Sequence, residues 1–138
     1  MRTLIRAGLL AVLFAAVAVL LGCSGNPQLS CTGSVQITVN PASATISHTA
    51  TPPVNQVQFV ATAQPTAPEG CPIPQWIAIV YGTWSNPDPT DITISSANDS
   101  TNGTAVCKLP TNGAVTLTGT FTQMVSTPVT RTVQLTCN

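Results

Sequence analysis

The stretch Val35–Asn40, with the sequence VQITVN, alternates apolar and polar residues without a break. Successive side chains of a β-strand point to opposite faces, so the pattern places Val35, Ile37 and Val39 on one face. Pro41 follows Asn40 directly and has no backbone N–H with which to continue a strand ladder. The stretch therefore predicts a strand with one buried face and one solvent-exposed face.

Similar short bursts, separated by Pro, Gly, Asn and Asp, fill the chain from here to its last residues. They cover residues 56–63, 76–85, 91–95, 104–109, 115–121 and 129–137, and residues 43–47 are placed along a sheet edge. The segment 64–74 contains four prolines and predicts a long loop. About seven strands and no helical period after residue 22 predict an all-β fold, a two-sheet antiparallel sandwich, with a closed barrel as the alternative.

Three motifs in these strands resemble those of bacterial Ig-like domains of the group 2 type. They are Val39–Ile46 (VNPASATI), Val57–Ala63 (VQFVATA) and Thr83–Pro89 (TWSNPDP). The resemblance implies an immunoglobulin-like β-sandwich over residues 31–138 that serves spacing, adhesion, or contact with carbohydrate or protein at cell surfaces. It also implies that Trp84 is a core residue, and it implies no shared catalytic residues.

The first 22 residues predict a lipoprotein signal peptide, forming a signal helix. Arg2 and Arg6 provide the positive n-region, residues 9–21 the apolar h-region, and Gly22 the small residue before the cut. The ending Leu-Leu-Gly-Cys resembles the lipobox of bacterial lipoprotein precursors, which implies a diacylglycerol on Cys23. A transmembrane helix and a plain secretory signal are the alternatives. All three predict export of the remaining chain.

Residues 23–30 are then a lipidated tether, because they are polar and reach roughly 25 Å at full extension. By resemblance to known sorting rules, Ser24 after the lipidated cysteine is compatible with the outer membrane. The expected location is therefore the bacterial cell envelope, at the outer membrane or cell surface rather than the inner membrane.

Four cysteines follow the tether: Cys31, Cys71, Cys107 and Cys137. An even number of cysteines in an exported chain predicts two disulfides, although the count alone allows three pairings. Zinc ligands normally come in close pairs, and these four lie far apart in sequence, so no metal site is expected. Within the sandwich that the resemblance implies, strand topology favours the pairs Cys31–Cys71 and Cys107–Cys137.

Charge excludes one class of partner. After the leader, the chain keeps Lys108 and Arg131 against four carboxylates, a formal charge of about −2. No basic patch is available to neutralise phosphates, so nucleic-acid binding is not expected.

Candidate sites are few. His48 is the only histidine and has no acidic neighbour in sequence, which argues against a hydrolase. Asp88, Asp91 and Asp99 lie in turns, where aspartate commonly bonds to its own backbone, and a calcium site there is a secondary hypothesis. Trp76 and Tyr81 are the aromatic candidates for ligand binding, provided that a bulge at Gly82 exposes them.

Together these features predict a lipid-anchored cell-envelope protein whose Ig-like domain is a non-catalytic structural or interaction module. It would associate with the membrane through the lipid on Cys23, would contact an envelope protein or glycan, and would need no cofactor. The alternative is a small glycan-binding lipoprotein that uses exposed aromatic side chains.

Overall fold

The computed structural model describes residues 31–138, so the predicted signal peptide, the lipidation site at Cys23 and the tether lie outside the described residues. The described part is all-β and contains no α-helix. Accordingly, residues 31–138 include no helix able to cross a membrane. The ten strands are β1 (Ser34–Asn40), β2 (Ser43–Ile46), β3 (Gln56–Gln58), β4 (Val60–Thr66), β5 (Ala78–Val80), β6 (Thr83–Ser85), β7 (Ile92–Ile94), β8 (Thr104–Cys107), β9 (Val115–Phe121) and β10 (Val129–Cys137).

The strands form three sheets, ordered β1-β4-β5, β3-β8-β7 and β2-β10-β9-β6. All neighbours are antiparallel except β2 and β10, which are parallel. β3 and β4 are consecutive parts of one extended run, interrupted at Phe59, whose N–H donates to the Gly103 carbonyl at 3.0 Å. The first two sheets therefore share this run and make one layer, and the four-stranded sheet makes the other.

The core lies between the two layers and draws buried side chains from both. Trp84 of β6 lies between one aromatic ring from each layer: its centroid is 6.2 Å from that of Phe59 and 5.8 Å from that of Phe121, the second pair edge to face. The arrangement is sandwich-like. The fully or nearly fully buried apolar residues are Ile37, Phe59, Ala61, Ala63, Val80, Trp84, Ile92, Ala105, Cys107, Leu117, Phe121, Val133, Leu135 and Cys137.

Several strands confirm the alternation in the sequence. In β1, Ile37 is fully buried and Val35 and Val39 are half-buried, whereas the polar residues between them are exposed. β9 and β10 bury alternate residues in the predicted phase. The edge position predicted for residues 43–47 is also confirmed, since β2 (Ser43–Ile46) lies at the margin of its sheet beside β10.

The prediction of one central strand over residues 76–85 is wrong. The run is divided into β5, which pairs with β4 in one layer, and β6, which pairs with β9 in the other. The chain crosses between layers at Gly82, where an added Cβ would lie 2.5 Å from the Phe121 ring and 3.0 Å from the Thr120 carbonyl oxygen. Only a residue without a side chain allows so close an approach.

Two strand ends also differ from the sequence prediction. β4 continues through Pro65 to Thr66, because β5 begins opposite Ala63 and Pro65 therefore has a strand neighbour on one side only. The loop is 67–77 rather than 64–74. β8 ends at Cys107 because the next two backbone N–H groups, those of Lys108 and Leu109, both donate to the Asp91 carbonyl. Leu109 is consequently exposed.

Two disulfides are present, as the cysteine count predicted. They join Cys31 with Cys71, with 5.6 Å between the Cα atoms, and Cys107 with Cys137, with 5.7 Å between them. These are the pairs that the sandwich topology favoured. The second bond connects the ends of β8 and β10, and so links the two layers; we call it the inter-sheet disulfide.

The domain has two distinguishable ends. The first, which we call the tether end, is where β1 begins opposite Thr66, and it carries loops 67–77, 95–103 and 122–128. Residues 124–127 border the same cavity as residues 33–35, and Asn98 accepts a hydrogen bond from Gln123, which places these loops together. The far end holds the inter-sheet disulfide and the segments 47–55 and 108–114.

Candidate functional site

The largest exposed aromatic side chain borders a groove at the tether end. Trp76 lies in loop 67–77, two residues before β5, and is 37% exposed. The groove has a volume of about 360 Å³ and is walled on one side by the last residues of β4. We call it the Trp76 groove; its lining residues are Gln64, Pro65, Ile73, Pro74, Gln75, Trp76 and Ile77.

Tyr81 borders a different and smaller cavity, of about 200 Å³, where β5 meets the turn that precedes β8. Its ring is only half-exposed, and its backbone N–H donates to the Gln123 side-chain oxygen at 3.1 Å. Trp76 and Tyr81, the two predicted ligand-binding residues, therefore lie on separate concave surfaces. The structure does not combine them into one aromatic platform.

The third aromatic residue of this region, Trp84, is buried at 6% exposure, as the resemblance implied. Its indole N–H needs a partner in the core, and it donates to Oδ1 of Asn102 at 3.1 Å. Asn102 is the only buried polar side chain among the described residues. A buried amide of this kind requires that its donors and acceptors be satisfied.

Asn102 meets that requirement with four hydrogen bonds. Its Oδ1 also accepts from the Gly82 N–H at 3.1 Å, and its Nδ2 donates to the carbonyls of Gly82 at 2.9 Å and Ala97 at 2.7 Å. The side chain thus holds together the crossing point at Gly82, the core tryptophan and loop 95–103. Sequence reasoning identified Asn102 only as part of a turn, although the need of a core tryptophan for an acceptor was a signal for it.

Exposed apolar side chains are unevenly distributed over the domain. Of the seven large ones in residues 31–138, Ile73, Trp76, Ile77 and Met124 lie in the tether-end loops. Ile79 lies on the outer face of β5, and Val54 and Leu109 lie at the far end. The tether end is thus the more apolar of the two.

The charged side chains follow a different distribution. Loop 67–77 carries Glu69, loop 95–103 carries Asp99, and neither they nor loop 122–128 contains Lys or Arg. Lys108 is at the far end, and Arg131 donates from Nε to the Ile37 carbonyl at 2.7 Å, between β10 and β1. The three tether-end loops therefore offer no cationic side chain to an anionic ligand.

The pKa of Asp99 is lowered by hydrogen bonds within its own turn. The Thr101 hydroxyl and the Thr101 backbone N–H both donate to its Oδ1, at 2.6 and 2.7 Å, and these bonds hold its pKa below the ordinary range. The carboxylate thus stabilises its own turn, the role that aspartate commonly takes in such a position.

The remaining sequence candidates are scattered. His48 Nδ1 is 2.8 Å from the carbonyl oxygen of Asn138, with which it forms a hydrogen bond. Asp88 and Asp91 lie in the segment before β7, whereas Asp99 follows that strand. Residues 31–138 contain no group of three or more His, Cys, Asp or Glu placed to hold a metal ion. Cys23 lies outside the described residues.

No family model, curated protein or solved structure matches this chain.

Proposed function

We propose that this protein is a lipid-anchored component of the bacterial cell envelope, and that its single domain is a non-catalytic immunoglobulin-like module for spacing or protein contact. The observation that carries the proposal is the pairing of all four cysteines after the lipobox-like Cys23 into two disulfides. Disulfides of this kind persist in exported proteins and are rare in the cytosol. The lipobox resemblance supplies the anchor.

The strand order supports the immunoglobulin-like part of the proposal. With β3 and β4 taken as one strand, the first layer runs β1, β3/β4, β8, β7, with the short β5 beside β4 on the side away from β1, and the second runs β6, β9, β10 with β2 at its edge. Apart from β5, this order agrees with that of an Ig sandwich, in which the first, second, fifth and fourth strands face the third, sixth and seventh. The buried Trp84 on the third strand is in keeping with it.

The anchor is tested by mass spectrometry of the mature N-terminus after expression in a bacterial host that processes lipoproteins. We expect a chain that begins at Cys23 and carries acyl groups, and a Cys23→Ala variant that is not acylated. Two or more acyl chains hold a protein firmly on a membrane, so the wild type should remain with vesicles during flotation. A chain that begins at an unmodified Ser24, or that retains Met1, contradicts the proposal.

A second candidate function is glycan binding, which the exposed Trp76 beside a groove of about 360 Å³ favours. Aromatic faces commonly contribute to recognition surfaces because they combine a large apolar area with few rotatable bonds. Glycan-array binding that is lost in Trp76→Ala but retained in Tyr81→Ala would favour this function, since the two residues lie on separate surfaces. Recovery of the wild type in a defined envelope complex, with no signal on the glycan array, would favour the spacing or protein-contact function.

A further inference from the structure

The domain joins its predicted anchor at the end that carries most of the exposed large apolar side chains. Cys31, the first described residue, is bonded to Cys71, and Ile73 and Trp76 follow Cys71 by two and five residues. The disulfide therefore holds the point where the tether enters the domain against the loop that presents these side chains. The link between Cys31 and the loop at Cys71 is covalent.

The predicted tether is also short enough to keep the domain close to the membrane. Cys23 precedes Cys31 by eight residues, which span roughly 25 Å even when fully extended. A domain held at that distance has its tether-end loops within reach of the bilayer that carries the acyl chains. The far end, with Val54 and the inter-sheet disulfide, points away whenever the tether end faces the lipid.

The side chains at this end suit a lipid interface. Tryptophan is enriched at membrane interfaces, where its ring is partly in hydrocarbon and its N–H is hydrated. Ile73, Ile77 and Met124 are 47%, 68% and 51% exposed, and burying them in acyl chains removes apolar area from water. Since the tether-end loops carry no Lys or Arg, attraction to anionic headgroups cannot provide the binding energy.

We infer that Ile73, Trp76, Ile77 and Met124, which we call the tether-end apolar surface, dock on the bilayer into which the acylated Cys23 inserts. The inference deepens the proposed function and rests on it. The lipid anchor supplies a high local concentration of membrane, so a small apolar contact is sufficient to orient the domain. The domain then stands on the membrane with its far end presented to the envelope.

Tryptophan fluorescence tests the inference, because the chain has two tryptophans and only one of them is exposed. The purified, acylated full-length mature protein is reconstituted into phosphatidylcholine vesicles with or without bromine atoms on the acyl chains. We expect brominated lipid to lower the wild-type emission by roughly half and to leave Trp76→Phe nearly unchanged, since Trp84 is buried in the protein core. The quenching should be the same at low and high salt.

A matched pair of variants isolates the apolar contact. Ile77→Glu places a charge on the tether-end apolar surface and should reduce the quenching of Trp76 at least about twofold, because a carboxylate is costly to bury in hydrocarbon. Val54→Glu makes the equivalent change at the far end, where the side chain is 66% exposed against 68% for Ile77, and should change nothing. Far-UV circular dichroism verifies that both variants are folded.

The outcomes separate the inference from the proposed function on which it rests. If Cys23 is acylated but brominated lipid quenches the wild type and Trp76→Phe equally, membrane docking is overturned and the anchor is retained. The Trp76 groove is then open to a glycan or a second copy. If Val54→Glu and Ile77→Glu reduce the quenching equally, membrane docking is overturned as well. A chain without an acyl group on Cys23 overturns both.

Discussion

Replacing Asn102 by alanine should destabilise the domain more than any other single polar substitution among the described residues. The change removes four hydrogen bonds at a position that is only 6% exposed. It leaves the Trp84 indole N–H and both backbone polar groups of Gly82 without partners inside the protein. The Ala97 carbonyl lies on an exposed residue and can be solvated instead.

The magnitude follows from the groups left behind. Each buried polar group that loses its partner costs about 1–3 kcal/mol, and three such groups remain. A water molecule entering the space vacated by the amide would recover part of this cost. We therefore expect the free energy of unfolding to fall by about 3–5 kcal/mol, a large part of the 5–15 kcal/mol typical of a whole domain.

The measurement is equilibrium unfolding in urea with the disulfides oxidised, followed by circular dichroism. Asn112→Ala is the matched control, because Asn112 also precedes a glycine with positive φ, Gly113, but is exposed. Its free energy of unfolding should stay within about 0.5 kcal/mol of the wild-type value. If Asn102→Ala costs less than about 1 kcal/mol, or no more than the control, the buried network does not stabilise the crossing at Gly82 and the reasoning fails.

Three further predictions concern the same domain. Gly103→Ala should lower the free energy of unfolding by more than about 2 kcal/mol in urea titrations, because φ is +76° there and a Cβ would collide with the Phe59 carbonyl oxygen. Replacing both cysteines of the inter-sheet disulfide by alanine should cost roughly 3–4 kcal/mol by thermal or chemical unfolding, the value that chain entropy predicts for a sequence separation of 30; an unchanged midpoint would contradict this. Thr101→Val should raise the pKa of Asp99 toward its usual value in a carboxyl NMR titration. Since the wild-type pKa is lowered by folding, the stability that this contact provides is present above the ordinary carboxyl pKa and disappears as the pH falls through the lowered value. The difference in stability between the two proteins should therefore become smaller in acid.

The strands illustrate what periodicity can reveal. β1, β9 and β10 bury alternate residues, and the fully buried ones are apolar residues or glycine in the phase that the alternation indicates. A period of two is a local property, because each side chain points opposite to its neighbour whatever the rest of the fold does. The sequence prediction failed at Gly82 and at Pro65, where the structure depends on residues far away in the chain. At Gly82 the chain changes layer, and Pro65 can belong to a strand only because no second strand lies beside it.

At the candidate site too, the residue types could be read from the sequence but their arrangement in space could not. Trp76 and Tyr81 were identified from residue type alone, but their separation into two cavities follows from the end of β5 and the crossing at Gly82. The hydrogen-bonding role of Asn102 escaped the sequence analysis because its partners are five to twenty residues away in sequence. Hydrogen bonds between distant residues leave no periodic signal.

By itself, the amino-acid sequence determined the class of structure, its approximate strands and the expectation of two disulfides. Side-chain alternation and turn residues are local features of the chain, and the cysteines can be counted directly. Only the tertiary structure decided which strands share a layer, that Asn102 satisfies the core tryptophan, and that Trp76 and Ile77 are exposed in the loop that the Cys31–Cys71 bond ties to the start of the domain. These features arise from packing between segments far apart in the chain, where the burial of one residue depends on the position of all the others.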